Sequence, residues 1–293
     1  MTQRVVIVGA TGLLGREVLR AFDGLPEFLV FAAARAQATD VRPSEAIQWL
    51  QGIDSHDLPT TFNVLSRCNP DVIINCAGIS GVAPEDQHTA SLISVYCTLP
   101  HALAAWSHSR NCRFIHISSD GVFSGSEGNY RETSPVDATD VYGVTKAAGE
   151  VSLPHCLVLR TSFIGHTDRG RQRLLDWAVS QKGSIQGYRN YRFTCISSIE
   201  LARFIVGQLI PRTGLAGIFH VPGAQMTKFE LLQRIAHIYQ LPLEVKPYDL
   251  AAPINRTLNS ELLTSLTGYK SPDMEAMLGE LLMTKRANSV QKE

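Results

Sequence analysis

"VVIVGATGLLGREVL", residues 5–19, decides the fold. Four consecutive branched apolar residues, Val5 to Val8, make the continuous run of a strand buried on both faces. The run stops at Gly9, and from Leu13 the apolar residues recur at helical spacing. A strand that passes through glycines into a helix presents bare backbone N–H groups at the helix N-terminus, where a diphosphate is received. The glycines are Gly9, Gly12 and Gly15, spaced G-x-x-G-x-x-G rather than G-x-G-x-x-G. With Thr11, Leu13 and Leu14 they form the candidate cofactor-binding turn.

Outward from this turn, apolar strands alternate with helical patterns. "FLVFAAA" (28–34), "DVIINCAG" (71–78), "RFIHIS" (113–118) and "CLVLRTS" (156–162) read as strands. "LPTTFNVLSRC" (58–68), 84–110 (bent near Pro100) and "DVYGVTKAAGEV" (140–151) read as helices. That alternation predicts an α/β protein, a Rossmann-type doubly wound parallel sheet covered on both faces. After about residue 165 the rhythm loosens. Helices are expected over 171–181, 197–210 (capped by Ser197 or Ser198) and 227–240, opened by the capping-box pair Thr227 and Glu230, with a short strand at 217–223. The expected division is an NAD(P)-binding domain, 1–165, followed by a smaller α/β region, 166–293, that mainly binds substrate and returns some elements to the sheet. The tail, 285–293, is expected to fray.

Composition narrows the function classes. Lysine plus arginine equals aspartate plus glutamate at 27 each, so no net field draws nucleic acid or an anionic membrane. No apolar run approaches the roughly 20 residues of a membrane helix, and the chain opens into a strand without a signal-peptide pattern. Six scattered cysteines read as reduced thiols in a cytoplasmic protein, not a disulfide framework or zinc site. The nine histidines form no metal constellation; His101 and His108 share a helix face without a carboxylate.

Cofactor choice is read at the end of the second strand, where a carboxylate would hold a ribose diol and an arginine a 2′-phosphate. "AAARAQ" offers Arg35, with no carboxylate until Asp40, which favours NADP(H) over NAD(H). Asp54 and Ser55 are candidate neighbours of the adenine. Cys76, Ala77 and Gly78 are placed along the diphosphate and nicotinamide ribose. In "YGVTK", Tyr142 and Lys146 lie four residues apart, on one helix face. A nearby cation favours the charged form of a phenol that otherwise ionises near pH 10. Ser118 or Ser119 at the preceding strand end supplies a hydroxyl to hydrogen-bond a substrate carbonyl.

These motifs, in this order, resemble the extended short-chain dehydrogenases/reductases, and within them the dTDP-4-dehydrorhamnose reductase group. "SSDGVFSG" (118–125), Tyr130 and Glu132, "YGVTKAAGE" (142–150) and "LRTSFIG" (159–165) match that group's pattern over residues 4–166, and "NRTLNSELL" (255–263) matches more weakly. The resemblance implies Ser119, Tyr142 and Lys146 as catalytic residues, with Tyr142 the proton donor and Lys146 on the nicotinamide ribose. It implies Ser119, Asp120, Gly121, Arg160, Thr161, Ser162 and Arg256 around the sugar. Arg171, Arg173 and Arg192 are further candidates for diphosphate contacts. The implied reaction is NADPH-dependent reduction of a 4-keto group on a nucleotide-linked 6-deoxyhexose, in surface polysaccharide precursor synthesis.

Two positions depart from the group. Gly121 stands where it has tyrosine, which suggests a wider pocket or a turn with positive φ. Tyr96 stands where it has an asparagine that supports the lysine through water. Related 4,6-dehydratases place an acidic pair after the hydroxyl; here Asp120 is followed by glycine, which favours simple reduction. Two alternatives stay open: a sugar-nucleotide 4-epimerase, and a non-catalytic NADP-binding regulatory subunit like the methionine adenosyltransferase β subunit. A homodimer through 84–110 and 140–152 is common in the superfamily and is the assembly the resemblance suggests.

Overall fold

The computed structural model describes residues 2–35, 47–79, 85–167 and 173–290; Asp40 and Arg171 lie outside them. Seven strands form one parallel sheet: β1 (Gln3–Val8), β2 (Phe28–Ala34), β3 (Ile47–Gln51), β4 (Val72–Asn75), β5 (Arg113–Ile117), β6 (Cys156–Arg160) and, from late in the chain, β10 (Gly217–His220). Their order is β10-β6-β5-β4-β1-β2-β3, so the direction of winding reverses between β1 and β4. A doubly wound sheet opens a crevice at that reversal, beyond the carboxyl ends of the strands.

Helices cover both faces. These are α1 (Leu13–Ala21), α2 (Leu58–Cys68), α3 (Glu85–Ile93), α4 (Leu99–His108), α5 (Val141–Ala148) and α7 (Ser198–Phe204). The central strands are buried on both sides, which is why Val5, Val6, Ile7, Ile73, Ile74, Phe114 and Ile115 form unbroken apolar runs with 0% exposure. Gly15 accounts for the close seat of α1: a Cβ there would lie 2.3 Å from Gly9 O. Between α3 and α4, Ser94–Thr98 is a π-helical turn, so the helix expected at 84–110 is continuous but rewound around Tyr96.

Past residue 160 the chain adds β7 (Phe163–Ile164), α6 (Leu174–Ser180), β8 (Gly183–Tyr188), β9 (Tyr191–Ser197), β11 (Ala224–Thr227), α8 (Lys228–Ile238), β12 (Leu243–Tyr248), β13 (Ile254–Arg256), α9 (Glu261–Thr267) and α10 (Met274–Val290). Strands β11, β9 and β13, with β7 beside β9, form a second small sheet, and β12 pairs with β8. The expected capping box forms, Thr227 accepting from Glu230 N–H while Glu230 accepts from Thr227 N–H. Of the tail expected to fray, residues 285–290 instead continue the helix Met274–Val290, whose Met274, Met277, Leu278 and Leu281 sit in the main core, and 291–293 lie outside the described residues.

Candidate active site

A cleft of about 1050 Å³ runs along the carboxyl ends of the sheet strands, lined by Gly9, Thr11, Gly12, Leu13, Leu14, Arg35, Asp54, Ser55, Cys76, Ala77 and Gly78 from the cofactor set. Its glycine turn is built for a close neighbour. Gly9 has φ +78°, and a Cβ there would meet the Ala77 backbone at 2.7 Å. Gly12 is the N-cap of α1 and offers no side chain to its first N–H groups, which leaves them for a diphosphate. Gly15 is a correction: it is absent from the cleft wall and serves to seat α1 on Gly9.

Sequence reasoning missed Arg16 and His56, which also line the cleft. Arg16 is nearly buried, its Nε donating to Thr11 O at 3.0 Å. No motif marked it because its meaning depends on the fold of the turn. Arg16 and Arg35 both line this cleft, which gives it the cations that a phosphorylated dinucleotide calls for.

Beyond Tyr142 a second cavity of about 540 Å³ opens, sharing Tyr96, Asp120, Tyr142, Ser162 and Arg173 with the cleft. Its far wall comes from the later region through Tyr191, Phe193, Lys228 and Leu231. Lys228 Nζ rests 3.8 Å from the Tyr191 ring centroid. Burial lowers the Lys228 ammonium's pKa, and Asp120 partly restores it. Neither Lys228 nor Tyr191 carried a sequence signal. Ser119, Gly121, Thr161 and Arg256 line the larger cleft.

The chemistry sits on the shared wall. Asp140 caps α5 by accepting from Gly143 N at 2.9 Å, which fixes the start of the helix carrying Tyr142 and Lys146. Tyr142 is 39% exposed, its ring opening on the cavities. The surrounding protein pushes its phenol up to about 12, with Ser119 pulling the other way. Lys146 Nζ donates to Ile117 O at 2.8 Å, and burial lowers its pKa to about 8. Ser119 Oγ accepts from Gly121 N at 3.0 Å and donates to Asp120 Oδ1 at 3.2 Å. Burial raises Asp120 to about 6, against the pull of Arg256.

Gly121 does not have positive φ. A Cβ there would lie 2.9 Å from Tyr142 Cε1, so glycine makes room for the Tyr142 ring rather than for a larger sugar pocket.

Arg160 is a second correction. It lines neither cavity but is buried in an ion pair with Glu150, Nη2 to Oε2 at 2.7 Å and Nε to Oε1 at 2.8 Å. Ser118 Oγ donates to the same carboxylate at 2.7 Å, which removes Ser118 as the catalytic hydroxyl. Tyr130 and Glu132 are likewise structural. Tyr130 stacks on Phe123 at 4.1 Å, and Glu132 accepts from His220 N at 3.1 Å. Arg192 is exposed on β9 and lines neither cavity, whereas Arg173 lines both.

Among the described residues no metal cluster forms, and no helix is long and apolar enough to cross a membrane. Residues 3–283 match the model of the RmlD substrate binding domain family. The chain belongs to this family. RmlD-type relatives differ in what they are named for. A "dTDP-4-keto-6-deoxy-D-glucose reductase" of Streptomyces niveus is 26% identical, covering 89% of this chain and 86% of the relative. A "Methionine adenosyltransferase 2 subunit beta" of Bos taurus is also 26% identical, over 82% of this chain and 73% of that one. The solved dTDP-4-dehydrorhamnose reductase of Bacillus anthracis, a complex with NADP, superposes with a TM-score of 0.77 at 19% identity, covering 97% and 100% of the two chains. The Bacillus structure shares the fold described above.

Proposed function

We propose that this chain reduces the 4-keto group of a nucleotide-activated 6-deoxy sugar with NADPH. The observation that carries this reading is Tyr142 on the wall common to the dinucleotide-shaped cleft and the smaller cavity, with Ser119 and Lys146 beside it. The glycine turn, Arg16 and Arg35 would hold NADPH, which would supply the hydride. Tyr142 stays protonated at neutral pH and so holds the proton that the reduced sugar oxygen needs. Ser119 orients that oxygen through its hydroxyl, and the Lys146 ammonium, one helical turn on from Tyr142, serves as the ribose contact.

The name of the Streptomyces relative and the NADP complex of the Bacillus structure support the reaction and the cofactor; NAD(H) remains a usable alternative. Residues after about 165 serve the sugar nucleotide, since Arg173, Tyr191, Phe193 and Lys228 line the smaller cavity. The activity belongs in the cytoplasm, in precursor synthesis for surface polysaccharide. A homodimer fits the exposed Ile93, Val141 and Val144 of α3 and α5.

The bovine relative keeps a regulatory-subunit reading in play. The Ser119, Tyr142 and Lys146 set argues for catalysis, and the paired arginines argue against an epimerase that recycles NAD. The test follows NADPH absorbance with a panel of dTDP-4-keto-6-deoxy sugars, beside Tyr142→Phe. Turnover that collapses by about 10²–10⁴ in the variant supports the reductase. NADPH binding without turnover on any sugar would replace it with the regulatory reading.

A further inference from the structure

Tyr96 is buried, 6% exposed, on the π-helical turn between α3 and α4. Three contacts converge on it. Its hydroxyl accepts from Ile79 N at 2.9 Å. Its ring meets the Tyr142 ring edge to face, centroids 5.5 Å apart at 87°. Its face lies 4.5 Å from Lys146 Nζ. The rest of the fold keeps it there: a Cβ on Gly149 would fall 1.8 Å from Tyr96 O, so only glycine lets the end of α5 pack on the π turn.

We propose that Tyr96 is a positioning residue that holds the Lys146 ammonium through its aromatic face and braces Tyr142 through their perpendicular ring contact, with its hydroxyl pinned to the segment after β4. This rests on the reductase reading for its purpose, but not for its test. The ammonium needs such a partner because, among the described residues, its hydrogen bond goes to a single carbonyl, Ile117 O, in a buried setting. Other groups act on the same amine. Glu150 and Cys76 favour its charge, while Arg173 opposes it; His116 on β5 is neighbour enough to feel the lysine's charge in turn. None of these is touched by changing the ring at position 96. A π face attracts a desolvated cation more strongly than an exposed one, and a π turn in a helix is a recurrent way to aim one side chain at a functional site.

Tyr96→Phe, which also removes the hydroxyl bonded to Ile79 N, is the reference of the test, and the fluorinated forms keep its ring shape and change its electron density. Tyr96→Phe, then the difluoro- and trifluorophenylalanine forms at 96, are made in protein with ¹³C-labelled lysine. The Lys146 signal, assigned by its loss in Lys146→Met, is titrated by NMR in the protein without sugar. The expected result is a midpoint that falls stepwise with fluorination, by about one unit in total. NADPH affinity and turnover are measured on the same samples. An unchanged midpoint across the series overturns the proposal, whatever the turnover. A falling midpoint in a protein that reduces no sugar upholds it while the reductase reading fails.

Discussion

At Gly121 a single methyl group separates a working geometry from a displaced one. The added Cβ in Gly121→Ala would press on Tyr142 Cε1 from 2.9 Å. The ring is half exposed and will yield, so the fold survives while the proton donor shifts. Turnover should fall about tenfold, given that a 1 Å misplacement costs on the order of 10²-fold, with the melting temperature nearly unchanged. Steady-state rates and a thermal melt on one sample check both halves. The pH profile is set by Lys146. Its depressed value of about 8 means the ammonium is present below that pH and lost above it, while Tyr142, pushed up to about 12, keeps its proton throughout. Reduction should therefore decline as pH rises through about 8, and an unaltered rate to pH 10 would remove Lys146 from the chemistry.

Elements hold these residues through local rules that the structure makes visible. α1 sits against Gly9 only because Gly15 lacks a Cβ. Gly15→Ala meets backbone, not a yielding side chain, and should cost about 1–3 kcal/mol as α1 lifts. NADPH affinity should fall with it, since the same helix end frames the diphosphate turn; calorimetry with NADPH reads this directly. α8 shows the opposite case. Its capping box lies at the helix start, and Thr227→Ala should cost about 1 kcal/mol in urea unfolding. Most of this level was legible. β2 and α2 begin and end where the apolar runs do, Phe28–Ala34 and Leu58–Cys68. β8, β9, β11, β12 and β13 were not legible: β8 and β12 are largely exposed, β11 and β13 span only three or four residues, and polar Thr194 and Ser197 interrupt the buried run of β9.

Across the whole molecule, Arg160 ties the sheet together beneath the site. Its guanidinium pairs with Glu150, whose carboxylate also takes the Ser118 hydroxyl, and reaches His220 Nε2 at 3.3 Å on β10. Burial and the Arg160 charge lower the His220 pKa to about 4, so the imidazole is neutral and its Nε2 accepts. Glu150→Ala would strand a buried cation and should cost about 3–5 kcal/mol. A drop below 1 kcal/mol in denaturant unfolding would show that water reaches Arg160. This network joins β6 to β10, the strand by which the later part of the chain returns to the sheet begun at residue 3.

The parallel sheet, the glycine turn and the pairing of Tyr142 with Lys146 can be read along the chain, because each depends on neighbours within one strand or one helical turn. What Arg160, Gly121, Arg16, Tyr96 and Lys228 do follows from the folded packing alone. Arg160 and Arg16 carry the same charge in sequence, yet one is paired with Glu150 under the sheet and the other lines the cleft. Their roles come from contacts between segments distant along the chain, and those distances exist only after the sheet has closed around them.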